Sequence, residues 1–304
     1  MNRLLDYPSS VIKKLSKQEI IEAIANSEGR VMMAETIGTI QPLLNDISNA
    51  EFVASMGVEL INLNVFDVKR PVINGLPKQN EQIKQLIDLT GCLIGINLEP
   101  VNFGLEKDKD NIWEVTSGRL ATVENVLEAS KMGVKFITLT GNPGVNVDNK
   151  TICQSLRNIT SVFKDELIFI AGKMHGAGVN HETGSGIITH DDIDSFVDNG
   201  ADIIMVPACG TIPTMTVERV GDLISHIHKR GKLALTAIGT SQEGADVNTI
   251  RQIALMNKMA GSDIHHIGDS GYLGMALPEN IHAYSLAIRG VRHTYRRMAM
   301  SIKR

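Results

Sequence analysis

Short apolar or β-branched runs return along this chain about every 30 to 40 residues, and a segment of helical periodicity separates each from the next. The runs are residues 30–35 (RVMMAE), 59–66 (ELINLNVF), 92–99 (CLIGINLE), 135–140 (KFITLT), 167–173 (LIFIAGK), 202–207 (DIIMVP), 233–238 (LALTAI) and 263–267 (DIHHI). Most are continuously apolar rather than alternating, which is how parallel strands covered on both faces read. Five junctions repeat a helix, glycine, strand signal (SMGVELIN, KMGVKFIT, DNGADIIM, KRGKLALT, MAGSDIHH), in which the glycine supplies a left-handed helix cap. Strand and helix taken eight times, with right-handed crossovers, close into a (β/α)8 barrel of the α/β class. An open doubly wound sheet would carry G-x-G-x-x-G after its first strand, where this chain has ETIGTIQPLL.

No Pro/Ser-rich linker, charge block or composition shift divides the 304 residues, so residues 1–304 read as one barrel domain. Ser16 and Glu19, between Leu15 and Ile20, form a capping box with a hydrophobic staple; they predict an extra N-terminal helix able to close the barrel bottom. Thr189 and Asp192 predict the same start for a helix that Gly200 ends. Residues 278–300 read as a long basic C-terminal helix.

Composition narrows the function classes. Thirty Lys+Arg against 34 Asp+Glu give a formal charge of −4, which offers no general attraction to nucleic acid or to an anionic membrane. No apolar run approaches the roughly 18 residues of a membrane span. Cys92, Cys153 and Cys209 are an odd number without C-x-x-C spacing, so neither a disulfide framework nor a zinc ribbon is expected and the compartment reads as reducing. The expected location is cytoplasmic, with no nucleic-acid or membrane partner.

In a barrel of this kind the active site lies at the C-terminal ends of the strands. Polar residues concentrate there: Glu35; Asn62 and Asn64; Asn97 and Glu99; Thr138, Thr140 and Asn142; Lys173 and His175; His265, His266 and Asp269. Many are spaced i, i+2, which puts both side chains on one face, and a wet mouth receives them at less cost than an apolar helix layer. Lys173 follows a five-residue apolar run and is expected to point into the mouth, with its amine freed for Schiff-base or acid/base work. Glu35 and Glu99 are expected acid/base groups or ligands of Mg²⁺ or Mn²⁺, the alternative cofactor, since oxygen-rich sites suit hard cations. His175 joins the candidate catalytic set. Of the adjacent histidines only one can face inward; strand register decides which, and His265 is carried forward. Asn64, Asn97, Thr140 and Asn142 are the candidate substrate-binding residues. Cys209 is a weaker candidate nucleophile.

The loops after strands seven and eight, IGTSQEG and IGDSGY, are rich in glycine and hydroxyls, so Gly239, Thr240, Ser241, Gly268, Ser270 and Gly271 are expected to grip a phosphate. That grip requires Glu243 and Asp269 to turn away. The loop over residues 100–121, with Lys107 to Asp110 and Trp113, and the loop over residues 176–188, with His181 and Glu182, are long enough for lids, substrate walls or homo-oligomer contacts.

With eight strands and two late phosphate-type loops, the chain resembles the phosphate-binding TIM-barrel enzymes, the group of class I aldolases, sugar-phosphate epimerases and indole or histidine biosynthetic barrels. The strand-five lysine is similar in kind to their Schiff-base lysines, although the common aldolase groups place theirs on strands four or six. The resemblance implies a lyase or isomerase acting on a small phosphorylated, sugar-derived metabolite. Two other readings stand beside it: a divalent-metal enzyme that stabilises an enolate, and a non-catalytic barrel that binds a phosphometabolite.

Overall fold

Alternation along the strands determines what each face of the sheet buries, and it sorts this chain into two apolar shells. The computed structural model describes residues 2–77, 80–102 and 114–304. Its strands are β1 (Val31–Ile37), β2 (Leu60–Asn64), β3 (Leu93–Leu98), β4 (Phe136–Leu139), β5 (Ile168–Gly172), β6 (Ile203–Pro207), β7 (Leu233–Ile238) and β8 (Ile264–Ile267). All neighbours pair in parallel, and β8 pairs with β1, so the sheet is a closed barrel. Every strand residue is buried, as the continuously apolar runs require. The Lys107 to Asp110 stretch and Trp113 lie outside the described residues.

Apart from the single turn Ser9–Ile12, the α-helices among the described residues are α1 (Lys17–Ala25), α2 (Asn49–Ser55), α3 (Gln82–Thr90), α4 (Val123–Met132), α5 (Asn149–Phe163), α6 (His190–Asp198), α7 (Val217–Lys229), α8 (Val247–Ala260) and α9 (Pro278–Met298). The capping boxes at Ser16/Glu19 and Thr189/Asp192 both form. The five junction glycines, Gly57, Gly133, Gly200, Gly231 and Gly261, all adopt positive φ, between 70° and 102°. The inner shell contains Val31, Met33, Leu60, Leu93, Phe136 and Ile264, and the N-terminal Leu4, Ile12, Ile20 and Ile24 pack into the same cluster, so α1 plugs the barrel bottom. Gly95 makes room within that shell, because a Cβ there would lie 2.1 Å from the Phe136 ring.

The C-terminal helix departs from expectation. It breaks at Gly290, whose φ of 71° and ψ of 172° lie in a region open essentially to glycine alone. The break follows Arg289, which donates through Nη1 to Glu59 Oε1 and Oε2 at 2.7 and 2.9 Å and through Nη2 to the Gly57 carbonyl at 2.6 Å. Glu59 also accepts from the Met32 N–H at 2.9 Å, and Arg297 Nε stands 3.6 Å away. This fully buried cluster ties the starts of β1 and β2 to α9. Arg289→Met should strand the Glu59 charge and lower unfolding free energy in urea by about 3 kcal/mol, the low end for a broken buried pair because Arg297 stays nearby. A loss below about 1 kcal/mol, the size of an exposed pair, would contradict this account.

Candidate active site

Above the apolar inner layers the row of inward side chains turns polar on one side of the barrel. Glu35 of β1, Asn62 and Asn64 of β2, Asn97 of β3 and Thr138 of β4 take inward positions, with Glu99, Thr140 and Asn142 continuing the pattern past the strand ends. All are buried. The opposite side stays apolar: Met174, Met205 and Ala237 belong to the inner cluster, and a Cβ at Gly239 would lie 1.9 Å from Met174 Sδ.

The polar groups satisfy one another in a chain. Asn62 donates to Glu35 Oε2 at 2.8 Å and accepts from the Thr138 hydroxyl at 3.1 Å. Asn64 donates to Asn142 Oδ1 at 3.0 Å and to Asp269 Oδ2 at 2.8 Å, and accepts from Asn97 Nδ2 at 3.2 Å. Asn142 in turn donates to Glu99. Both Glu99 oxygens accept from Arg119 Nη2, at 2.8 and 2.9 Å.

Glu35 and Asp269, held by the neighbouring Asn62 and Asn64, are close enough for each to feel the other. Burial acts to raise the Glu35 carboxyl, but the hydrogen bond and charge of His266, followed by the Asn62 hydrogen bond, hold it below the usual carboxylate range. Burial and the Glu35 charge push Asp269 up to about 8. Near neutrality the pair therefore keeps one proton, on Asp269. His266 Nε2 stands 3.5 Å from Glu35 Oε2. Glu243, from the loop after β7, is raised chiefly by burial and feels both His266 and Glu35. His175 is pulled down to about 4 by burial; its Nδ1 accepts from the Ala177 N–H at 3.1 Å, which leaves the ring proton on Nε2.

Several expectations are overturned. Lys173 does not enter the mouth: it is ion-paired to Glu182, with Asp148 and Asp192 as its further acidic neighbours, and Met174 takes the inward place. Asp148 caps α5 and Asp192 opens α6, so the layer outside this strand end is a ring of acidic helix starts rather than an apolar surface. Burial pulls the Lys173 amine down while Glu182 opposes. His265 faces outward, its Nδ1 3.2 Å from the Tyr284 hydroxyl and its Nε2 3.2 Å from the Gly29 carbonyl. Register gives the mouth to His266.

The phosphate grip does not form as expected. The Gly271 N–H donates to Asp269 Oδ1 at 2.8 Å, the Glu243 carboxyl carbon lies 3.6 Å from a Cβ position on Gly268, and Gly239 is covered by Met174. The Thr240 hydroxyl is spent on the Thr211 carbonyl at 2.8 Å, and Ser241 turns the chain in a left-handed conformation. Two carboxyls thus occupy the place of the anion. Glu35 and Glu99 do not fit a shared Mg²⁺ or Mn²⁺ either, because Arg119 bridges both Glu99 oxygens while Glu35 belongs to the Asn62 and His266 network. Among the described residues no group of three His, Cys, Asp or Glu is arranged to hold a metal. Cys209 is pushed up to about 11 by burial, which removes it as a ready thiolate.

Sequence reasoning missed Arg119 as the Glu99 counterion, and treated Asp269 and Glu243 as obstacles rather than as the centre. The signal for the two acids was their position two residues past the end of β8 and five past the end of β7. Arg119, twenty residues beyond its partner, left no spacing signal.

A family model described as Domain of unknown function (DUF7916) matches residues 5–304, so the chain belongs to that family. No curated protein matches it. Among solved structures, an archaeal fructose 1,6-bisphosphate aldolase superposes with a TM-score of 0.57 at 12% identity, covering 90% of this chain and 99% of that one. An archaeal fructose-1,6-bisphosphate aldolase with its catalytic Lys covalently bound to the carbinolamine intermediate of the substrate gives 0.57 at 13% identity, over 90% and 98%. These likenesses establish the barrel fold. Among the described residues, no helix is long and apolar enough to cross a membrane.

The raised Asp269 makes stability depend on pH. Its folded pKa of about 8 exceeds the ordinary aspartate value of 3.8, so the folded state binds the proton more tightly and stability falls as pH rises between those values. Glu35, lowered from 4.5, contributes stability that is lost only as pH falls below about 4.5. Urea unfolding should show Asp269→Asn gaining stability over the parent protein at pH 8 and gaining less at pH 5. An equal effect at both pH values would remove the shared-proton account.

Proposed function

We propose that this barrel is an acid–base enzyme of the lyase or isomerase type, moving a proton beside the carbonyl of a small hydroxyl-bearing, sugar-derived compound. The observation that carries the reading is the buried Glu35–Asp269 pair, two carboxyls close enough to feel each other with their proton affinities pushed apart. Such a pair supplies a base and an acid at one pH. Glu35, ionised and steadied by Asn62 and His266, accepts the substrate proton. Asp269, still protonated at neutral pH and fixed by Asn64 and the Gly271 N–H, donates to the developing oxyanion. His175, neutral with a free Nε2–H, is placed to hold a second oxygen. For cleavage rather than isomerisation the same groups suffice: the base deprotonates a hydroxyl beside the scissile carbon–carbon bond, and the acid protonates the carbonyl oxygen as the enediol forms.

A Schiff base at Lys173 is not part of this reading, although the archaeal aldolase that shares the fold has a catalytic lysine. Here the amine is committed to Glu182. Borohydride added with candidate carbonyl compounds should leave Lys173 unmodified by mass spectrometry. In deuterated buffer, NMR of ketoses and aldoses should show enzyme-dependent exchange of the hydrogen beside the carbonyl; Glu35→Gln should slow it about 10²- to 10⁴-fold, the usual contribution of a positioned base. The rate should fall above pH 8 as Asp269 loses its proton. A borohydride adduct on Lys173, or undiminished exchange in Glu35→Gln, would defeat the proposal.

A further inference from the structure

Among the described residues, several buried polar atoms at the mouth have no hydrogen-bond partner: Asn97 Oδ1, the Thr140 hydroxyl, Glu243 Oε2, His266 Nδ1 and Ser270 Oγ. Asn97, Thr140, Glu243 and His266 are each at most 6% exposed. Orphaned polar atoms this deeply buried are costly and are kept where a ligand completes them. Their chemistry is mixed. Asn97 Oδ1 only accepts, the two hydroxyls donate and accept, and the Nδ1 of a charged His266, whose Nε2 faces Glu35, donates. A partner for such a set must itself both donate and accept at several points, as vicinal hydroxyls do and as phosphate oxygens or an ammonium do not.

Two further features select the same class. Among the described residues the guanidinium at this mouth, Arg119, is spent on Glu99, while Glu35, Glu243 and Asp269 crowd the late loops. Facing this polar wall across the barrel stand Met174, Met205 and Ala237, and Ala237 is in direct register with His266. Inward groups that form hydrogen bonds on one side and present C–H and thioether surface on the other match a ring or chain that carries hydroxyls on one side and C–H bonds on the other.

We infer that the mouth binds an uncharged polyhydroxy compound, a free sugar or its keto form, and rejects the phosphate ester of that compound at the β7 and β8 loops. The inference deepens the acid–base reading and rests on it for the site, but it is tested by binding rather than turnover. Saturation-transfer NMR would screen the whole protein against D-glucose, D-fructose, D-ribose and D-xylose, their phosphate esters, inorganic phosphate and ethanolamine. The expected result is binding of at least one free sugar, with its ester at least about tenfold weaker because its charge enters a desolvated acidic mouth. Thr140→Val, and independently Ser270→Ala, should each weaken that sugar about fivefold, the loss of one net hydrogen bond. Both variants would first be checked for an unchanged thermal unfolding profile.

Tighter binding of an ester, of inorganic phosphate or of ethanolamine than of any sugar would overturn the inference. So would silence across the free sugars, or undiminished binding in both folded variants. Glu35→Gln separates the two proposals: if it and the parent protein bind the sugar alike while neither exchanges its protons, the ligand class stands and the acid–base function falls.

Discussion

A closed parallel barrel must fill its own interior, and every inward side chain must find its partners among the seven other strands. In this chain the inward row changes character partway up. Val31, Met33, Leu60 and Phe136 fill the lower layers with apolar volume, closed beneath by α1. Above them Glu35, Asn62, Asn97 and Thr138 stand where water is scarce, and each is held by a neighbour from another strand. The need to satisfy polar groups in a medium of low polarizability forces these residues into one network. The unmet remainder of that network sets the mouth apart from the apolar core below it.

The charge balance follows from the same constraint. Glu99 stays in the interior because Arg119 comes back from the following loop to meet both its oxygens. Among the described residues Glu35 and Asp269 are met by no guanidinium but by His266, Asn62 and Asn64, and the pair keeps a proton with its affinities split. This arrangement weakens the fold as pH rises, a cost characteristic of functional sites. At the barrel bottom the opposite solution is used, where Arg289 and Arg297 bracket Glu59 and balance its charge.

Much of the architecture was legible from the chain. The apolar runs, the glycines at helix ends and the Ser16 and Thr189 capping boxes are local signals, carried by backbone sterics and nearest-neighbour hydrogen bonds, and each appears where the pattern places it. The i, i+2 polar pairs were equally readable: Asn62 with Asn64, and Asn97 with Glu99, do share the inward face. Gly290 shows the limit of a local pattern, since helical periodicity continues through it while the backbone does not.

What only the tertiary structure decided are the questions that depend on distant partners. Whether His265 or His266 faces the mouth turned on the register of β8 against β1 and β7, where Met33 and Ala237 are the neighbours that place His266 inside. Lys173 sits at the end of an apolar strand, yet three acids gathered from the α5 cap, the α6 start and the loop between β5 and α6 draw it outward. Asp269 and Glu243 turn toward the loops meant for a phosphate because backbone N–H groups and an imidazole from elsewhere receive them. Composition and spacing established a barrel and the rim on which its polar residues stand. Pairing across the barrel, an interaction between residues more than two hundred positions apart in the case of Asn64 and Asp269, determined which of them meet.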